Sequence, residues 1–148
     1  MNRPMAITHW DIRYLDLAKL VSTWSKDPST QVGAVIVSPK NRVISLGFNG
    51  FPPKIRDNER LHNRDQKLDI IIHGEMNAIL TADHSLDGST LYTYPFLPCS
   101  RCASMVIQVG IIHAIAPKYT GTRWESNLMV SRDLFFEARV SCLEVEYI

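Results

Sequence analysis

The sequence predicts an α/β fold in which a sheet of about five strands is covered by helices. Apolar residues alternate along the chain between a helical period and short strand-like runs, and the two kinds of segment follow one another in turn. Size agrees: 148 residues, 45% of them hydrophobic, suit one domain spanning 1–148 whose core needs no disulfide staples.

Residues 10–25 place Tyr14, Leu17, Ala18, Val21 and Trp24 on one stripe and Arg13, Asp16, Lys19 and Thr23 on the other, which predicts an amphipathic helix. Pro28 ends it, because proline disfavours helix in the residue before it. Residues 32–37 are a continuous apolar run, as in a strand buried on both faces. A Ser-Pro-Lys-Asn turn joins them to a second strand at 43–48, making a hairpin. Residues 74–82 read as a short helix with Met76, Ile79 and Leu80 turned inward, and 90–94 as a strand. Pro98 opens a further helix with Cys102, Met105, Val106 and Val109 along one face and Gly110 as its cap. A strand at 111–116, a helix at 126–138 and a strand at 140–147 complete the order α-β-β-α-β-α-β-α-β. Residues 49–72 show no clear element before Ile70, and their middle is charged. A stretch that long is uncommon unless functional or disordered; it reads as a solvated excursion with at most a turn of helix, or as a working loop.

Composition excludes several function classes. Sixteen basic against fifteen acidic side chains leave a formal charge of +1, so no general basic field invites duplex DNA or RNA, although nucleotides remain open. No run approaches the ~18 apolar residues of a membrane span. The opening Met-Asn-Arg-Pro-Met lacks the apolar region of a secretory signal. The expected location is therefore the cytoplasm. Three cysteines are an odd count without a disulfide framework, and Cys99 and Cys102 stand at a spacing that serves metal or redox chemistry.

His73-Gly74-Glu75 starts one predicted helix and Pro98-Cys99-Ser100-Arg101-Cys102 another. Cysteines three apart at a helix start share a face, and the positive end of the dipole favours thiolates there. With His73 they make three zinc ligands; a closed structural site normally has four, whereas three leave a position for water. Zinc lowers the pKa of bound water towards ~7, and Glu75 is placed to accept its proton. H-x-E followed by P-C-x-x-C is the signature of zinc nucleobase deaminases. A redox pair also fits the two cysteines but leaves His73 and Glu75 unexplained. A zinc-stapled binding module remains open, with His62 or Cys142 as fourth ligand. His9, His84 and His113 read as structural or exposed, and Cys142 as a small buried apolar residue.

From about Trp10 to the C-terminus the chain resembles deoxycytidylate (dCMP) deaminases, of phage or bacterial type. The resemblance is carried by the zinc motifs, by Ser25-Lys26-Asp27-Pro28-Ser29-Thr30-Gln31-Val32-Gly33-Ala34, and by Gly47-Phe48-Asn49-Gly50-Phe51-Pro52. His73 to Ile79 matches the usual His-Ala-Glu-x-Asn-Ala-Ile except that Gly74 replaces alanine, which loosens a helix start by up to ~1 kcal/mol. It implies a cytidine deaminase-like three-layer α/β/α fold with a mixed sheet. It also implies zinc-dependent hydrolysis of dCMP to dUMP for dTTP synthesis, and a homohexamer activated by dCTP and inhibited by dTTP.

On that likeness His73, Cys99 and Cys102 hold zinc, Glu75 shuttles protons, and Asn49 meets the sugar. Ser25, Lys26, Arg101 and Tyr119 flank the substrate, with Lys26 and Arg101 expected at the phosphate. Each has a plainer reading too: Lys26 as a helix cap, Arg101 as a solvated first-turn residue, Asn49 as a turn residue with positive φ, Tyr119 as core. The effector region implied is Gly47, Phe48, Asn49, Gly50, Asp57, Glu59, Arg60, Asn63 and Lys67. Arg56, Arg60, Arg64 and Lys67 suit triphosphate oxygens there, and Asp57 and Glu59 could help hold Mg²⁺. The competing enzymatic reading is a zinc deaminase of a free nucleoside or of a base in RNA.

Overall fold

The computed structural model of the chain describes residues 6–147; the signal-free reading of residues 1–5 lies outside them. Its elements are α1 (His9–Ser22), β1 (Gly33–Val37), β2 (Val43–Phe48), α2 (Arg64–Ile70), α3 (Gly74–Thr81), β3 (Thr90–Tyr94), α4 (Ser100–Gln108), β4 (His113–Pro117), α5 (Glu125–Glu137) and β5 (Ser141–Val145). They form one mixed sheet in the order β2-β1-β3-β4-β5. Strand β1 is buried at every position and pairs antiparallel with β2 and β3, while β3, β4 and β5 run parallel. Parallel neighbours need crossover connections, and α4 and α5 supply them.

The helices make the outer two of three layers. Tyr14, Leu15 and Ala18 of α1 pack on Val35, Val37, Tyr92 and Ile115 on one face of the sheet. On the other face Ala78, Ala103, Val106, Leu128 and Phe135 of α3, α4 and α5 pack on Ala34, Ile36, Leu91 and Ala114. Among the described residues no helix is long and apolar enough to cross a membrane.

Every predicted strand forms, but the buried faces of the helices differ from the predicted stripes. Helix α1 buries Asp11, Tyr14, Leu15, Ala18, Val21 and Ser22, and Trp24 lies beyond its end, 48% exposed. Asp11 faces inward because it accepts the Tyr92 hydroxyl at 2.6 Å and caps its own helix with Thr8. Helix α3 buries Gly74, Glu75 and Ala78, while Leu80 is 65% exposed and Met76 only half-buried. Only small residues face β2 there, since a Cβ on Gly47 would sit 2.3 Å from the Gly74 carbonyl oxygen and 2.4 Å from the Ala78 nitrogen. Helix α4 buries Cys102, Ala103 and Val106, leaving Met105 exposed and Val109 as its C-cap. Gly110 closes that helix at φ +87°, as predicted.

The 49–72 excursion holds more structure than expected. Asn58 caps a 3₁₀ turn at Glu59–His62 and Asn63 caps α2, each accepting a backbone N–H at its helix start. The turn buries Leu61 and α2 buries Lys67, so no apolar stripe announces either one.

The contact of α3 with β2 yields a stability prediction. Gly47→Ala forces backbone against backbone and should cost about 1–3 kcal/mol, read as a lower urea midpoint with unchanged slope. An unchanged midpoint would mean that α3 withdraws from the sheet without penalty.

Candidate active site

Two helix starts face each other at one end of the sheet. His73 is the N-cap of α3 and Cys99 the N-cap of α4, both in extended backbone that turns the side chain away from its helix. His73 Nδ1 lies 3.5 Å from Cys99 Sγ and 3.3 Å from Cys102 Sγ. The three ligand atoms fall within 4.8 Å of one another, and among the described residues no fourth His, Cys, Asp or Glu joins the group. His62 is exposed and Cys142, half-buried, has its thiol pushed up to about 11 by burial. Neither completes a four-ligand site.

The donor set fits zinc. A hydrogen bond from the Cys102 thiol holds the Cys99 thiol down at about 4, with His73 assisting. The same bond and burial push Cys102 up, and the bond to Cys99 raises His73. Three donors crowded around one spot, Cys102 buried and the other two half-buried, thus share protons that a divalent cation would displace. Helix α5 holds the cysteine turn in place. Asn127 accepts the Ser100 backbone N–H at 3.0 Å and donates to the Ser100 hydroxyl at 3.1 Å, while Ser131 donates to the Pro98 carbonyl at 2.7 Å.

Glu75 occupies the first turn of α3, 4% exposed. Its Oε1 is buried with no hydrogen-bond partner among the described residues. Burial, and then the charge of Cys99, push its carboxyl above the usual carboxylate range. A buried oxygen left without a partner is costly unless a ligand completes it. Glu75 opens into the cavity that His73 and Cys99 also line, with Val32, Leu68, Ile71 and Leu97 as apolar wall and Phe96 and Trp124 as aromatic wall.

A buried polar network closes one side. Asp27 receives Lys67 Nζ at 3.0 Å, the Ser29 N–H at 2.8 Å and Asn49 Nδ2 at 3.2 Å. Lys67 also donates to the Ser29 hydroxyl, and Asn49 accepts the Val32 N–H at 2.8 Å. The Ser25 hydroxyl donates to the Asn49 carbonyl and accepts from the Asp27 N–H.

A family description, cytidine and deoxycytidylate deaminase zinc-binding region, matches residues 8–116. The chain belongs to this deaminase family. It is 42% identical over 137 residues to an uncharacterized deaminase in luxG 3'region of Aliivibrio fischeri, covering 90% of this chain and 92% of that one. It is 41% identical over 115 residues to a probable deoxycytidylate deaminase of Drosophila melanogaster, covering 70% of this chain and 56% of the fly protein. With human deoxycytidylate deaminase it shares 34% identity over 113 residues, covering 72% of this chain and 63% of the human one. The chain thus spans little more than half the length of several of these relatives. The solved apo structure of the dCMP deaminase from cyanophage S-TIM5 superposes with a TM-score of 0.76 at 22% identity, over 95% of this chain and all of that one. That likeness is one of fold.

The fold gathers only part of the residues singled out from the sequence. His73, Glu75, Cys99 and Asn49 line the cavity, with Cys102 behind them. Asn49 has no positive φ, and its carboxamide is bonded on both sides. Ser25 stands behind Asn49. Tyr119 packs edge-on against Phe96 and accepts the Trp124 N–H at 3.1 Å, so it shapes the aromatic wall from behind. Lys26 points elsewhere, paired with Asp57 at 2.9 Å and 71% exposed. Arg101 is exposed on α4 and does not line the cavity.

Of the residues expected around an effector, Gly47 serves the contact with α3, Asn63 caps α2, and Gly50 bridges to Ile72. Phe48 packs edge-on against Trp24, Glu59 is exposed, and Arg60 is held by Asn58. Lys67 reaches the cavity wall. Sequence reasoning missed Asp27, Phe96, Arg123, Trp124, Asn127 and Ser131. The Asp27-Pro28-Ser29 turn was the one visible signal among them.

Metal content tests the cluster. The purified chain should carry about one zinc, Cys99→Ser should lose metal and stability together, and Glu75→Gln should keep the metal. Loss of zinc from Glu75→Gln would return Glu75 to the ligand set.

Proposed function

We propose that the protein hydrolyses dCMP to dUMP and ammonia. The observation that carries this reading is the buried Glu75, its Oε1 unpartnered, beside a three-donor cluster. The names of the fly and human relatives support the substrate, as does a cyanophage structure in complex with dCMP and dUMP, similar in fold at TM-score 0.73 and 22% identity. His73, Cys99 and Cys102 would hold the zinc. Bound there, zinc supplies Lewis acidity that makes water a nucleophile near neutral pH.

The chain's own residues do the rest. Glu75 takes a proton from the attacking water and passes it to the ring nitrogen. It then takes the second proton, from the hydroxyl added to the ring carbon, and gives it to the amine, which leaves as ammonia as the C–N bond breaks and the carbonyl forms. Burial raises the Glu75 carboxyl above the usual carboxylate range, which favours the protonated form it needs as an acid. The apolar and aromatic walls exclude water and hold a flat ring, and Asn49 fixes the polar wall beside it. Glu75→Gln should lower kcat by ~10²–10⁴-fold, measured as loss of ammonia release with zinc retained. Turnover close to wild type would remove Glu75 from the chemistry.

The finer part of the proposal is regulation in the cytoplasm by dCTP and dTTP, with Mg²⁺ accompanying the triphosphate, in a homohexamer. Its support is the resemblance, together with the charged side chains of Asp57 and Glu59 that the excursion exposes. Lys67, buried on Asp27, joins that excursion to the cavity wall. Opposite effects of two triphosphates require each to prefer a different conformation. dCMP saturation should be sigmoidal, more hyperbolic with dCTP, and shifted to higher substrate with dTTP. Hyperbolic kinetics indifferent to both would leave the excursion a structural feature only.

A further inference from the structure

We propose that Arg64 and Arg123, rather than Lys26 and Arg101, read the 5′-phosphate of the substrate; this rests on the nucleotide deaminase reading above. The cavity wall carries three permanent cations: Arg64, Lys67 and Arg123. Lys67 is neutralised at 3.0 Å by Asp27, both side chains 6% exposed. Glu75 is the other carboxylate on the wall, and among the described residues it makes no ion pair with either arginine. Among the described residues neither Arg64 nor Arg123 has an acidic partner. Arg64 and Arg123, both exposed residues at the cavity wall, are therefore two guanidinium groups without a carboxylate partner.

Each stands beside a wall on which a flat ring could pack. Arg123 lies over the Trp124 ring at 4.8 Å, and Trp124 leans on Phe96 at 6.1 Å, so the cation belongs to the aromatic wall. Arg64 opens α2, in the excursion that contributes Leu68 and Ile71 to the apolar wall. Guanidinium offers a planar fork of donors that matches phosphate oxygens. Lys26, by contrast, is engaged by Asp57, and neither it nor Arg101 lines the cavity.

The test compares kcat/KM on dCMP and on deoxycytidine for wild type, Arg64→Ala, Arg123→Ala, the double variant and both Arg→Lys forms, with Lys26→Ala and Arg101→Ala alongside. Each arginine truncation should lower efficiency on dCMP by about 10–100-fold, mostly through KM, while deoxycytidine turnover and zinc content stay at wild-type values. Lysine should restore part of the loss, since it keeps the charge without the fork. Equal losses on both substrates would reveal a structural role and overturn the assignment. So would retained discrimination in the double variant, or its loss in Lys26→Ala or Arg101→Ala alone. Equal wild-type efficiencies on the two substrates would overturn the nucleotide reading and this assignment with it.

Discussion

The site depends on the convergence of two helix N-termini. His73 and Cys99 each end a loop and start a helix, and their donor atoms come within 3.5 Å only because α3 lies almost on the backbone of β2. Gly47 makes that approach possible, and Gly33 allows a similar one between β1 and α1, where a Cβ would fall 2.0 Å from the Ala18 carbonyl. The α4 start is set from its other side by Asn127 and Ser131. Both helices then aim the positive ends of their dipoles at one point, where the Cys99 and Cys102 sulfurs and the Glu75 carboxyl gather. Moving either helix would separate ligands that no loop adjustment could bring together again.

Charge burial around that point is selective. Glu75 is buried with an oxygen unsatisfied, a costly arrangement in a folded chain and one that reactive groups commonly show. Asp27 and Lys67 are buried as deeply, yet Asp27 is bonded by Lys67, Asn49 and backbone N–H groups, and so belongs to the wall. A buried ion pair of this kind is weak evidence for stability. What it does here is tie three distant segments together: the turn after α1, the end of β2, and α2.

The strands, the zinc motif and the order of elements outside the 49–72 excursion were legible because each is local. Strand runs report their burial residue by residue, as the unbroken apolar stretch of β1 does. The excursion was less legible. Its 3₁₀ turn and α2 are started by asparagine caps and anchored by Leu61 and the buried amine of Lys67, and periodicity analysis scores a lysine as solvated surface. Helix faces were legible to within about one position, since a sheet accepts small or capped polar residues such as Gly74 and Asp11 where a hydrophobic stripe predicts Leu80 or Trp24.

By itself the sequence determined which side chains can hold a metal and move a proton. His73, Glu75, Cys99 and Cys102 are chemically specific, and short spacing on helix starts places each pair on one face. Only the tertiary structure decided which charges share the cavity with them. Lys26 lies next to Asp27 in the chain but turns out to Asp57, whereas Lys67 arrives from 40 residues away to neutralise Asp27. Arg64 and Arg123 come from opposite sides of the metal motifs in sequence and line the same cavity. The reason is range: ligand spacing is set by local backbone geometry, while the pairing of charges depends on which surfaces the sheet and its helices bring face to face.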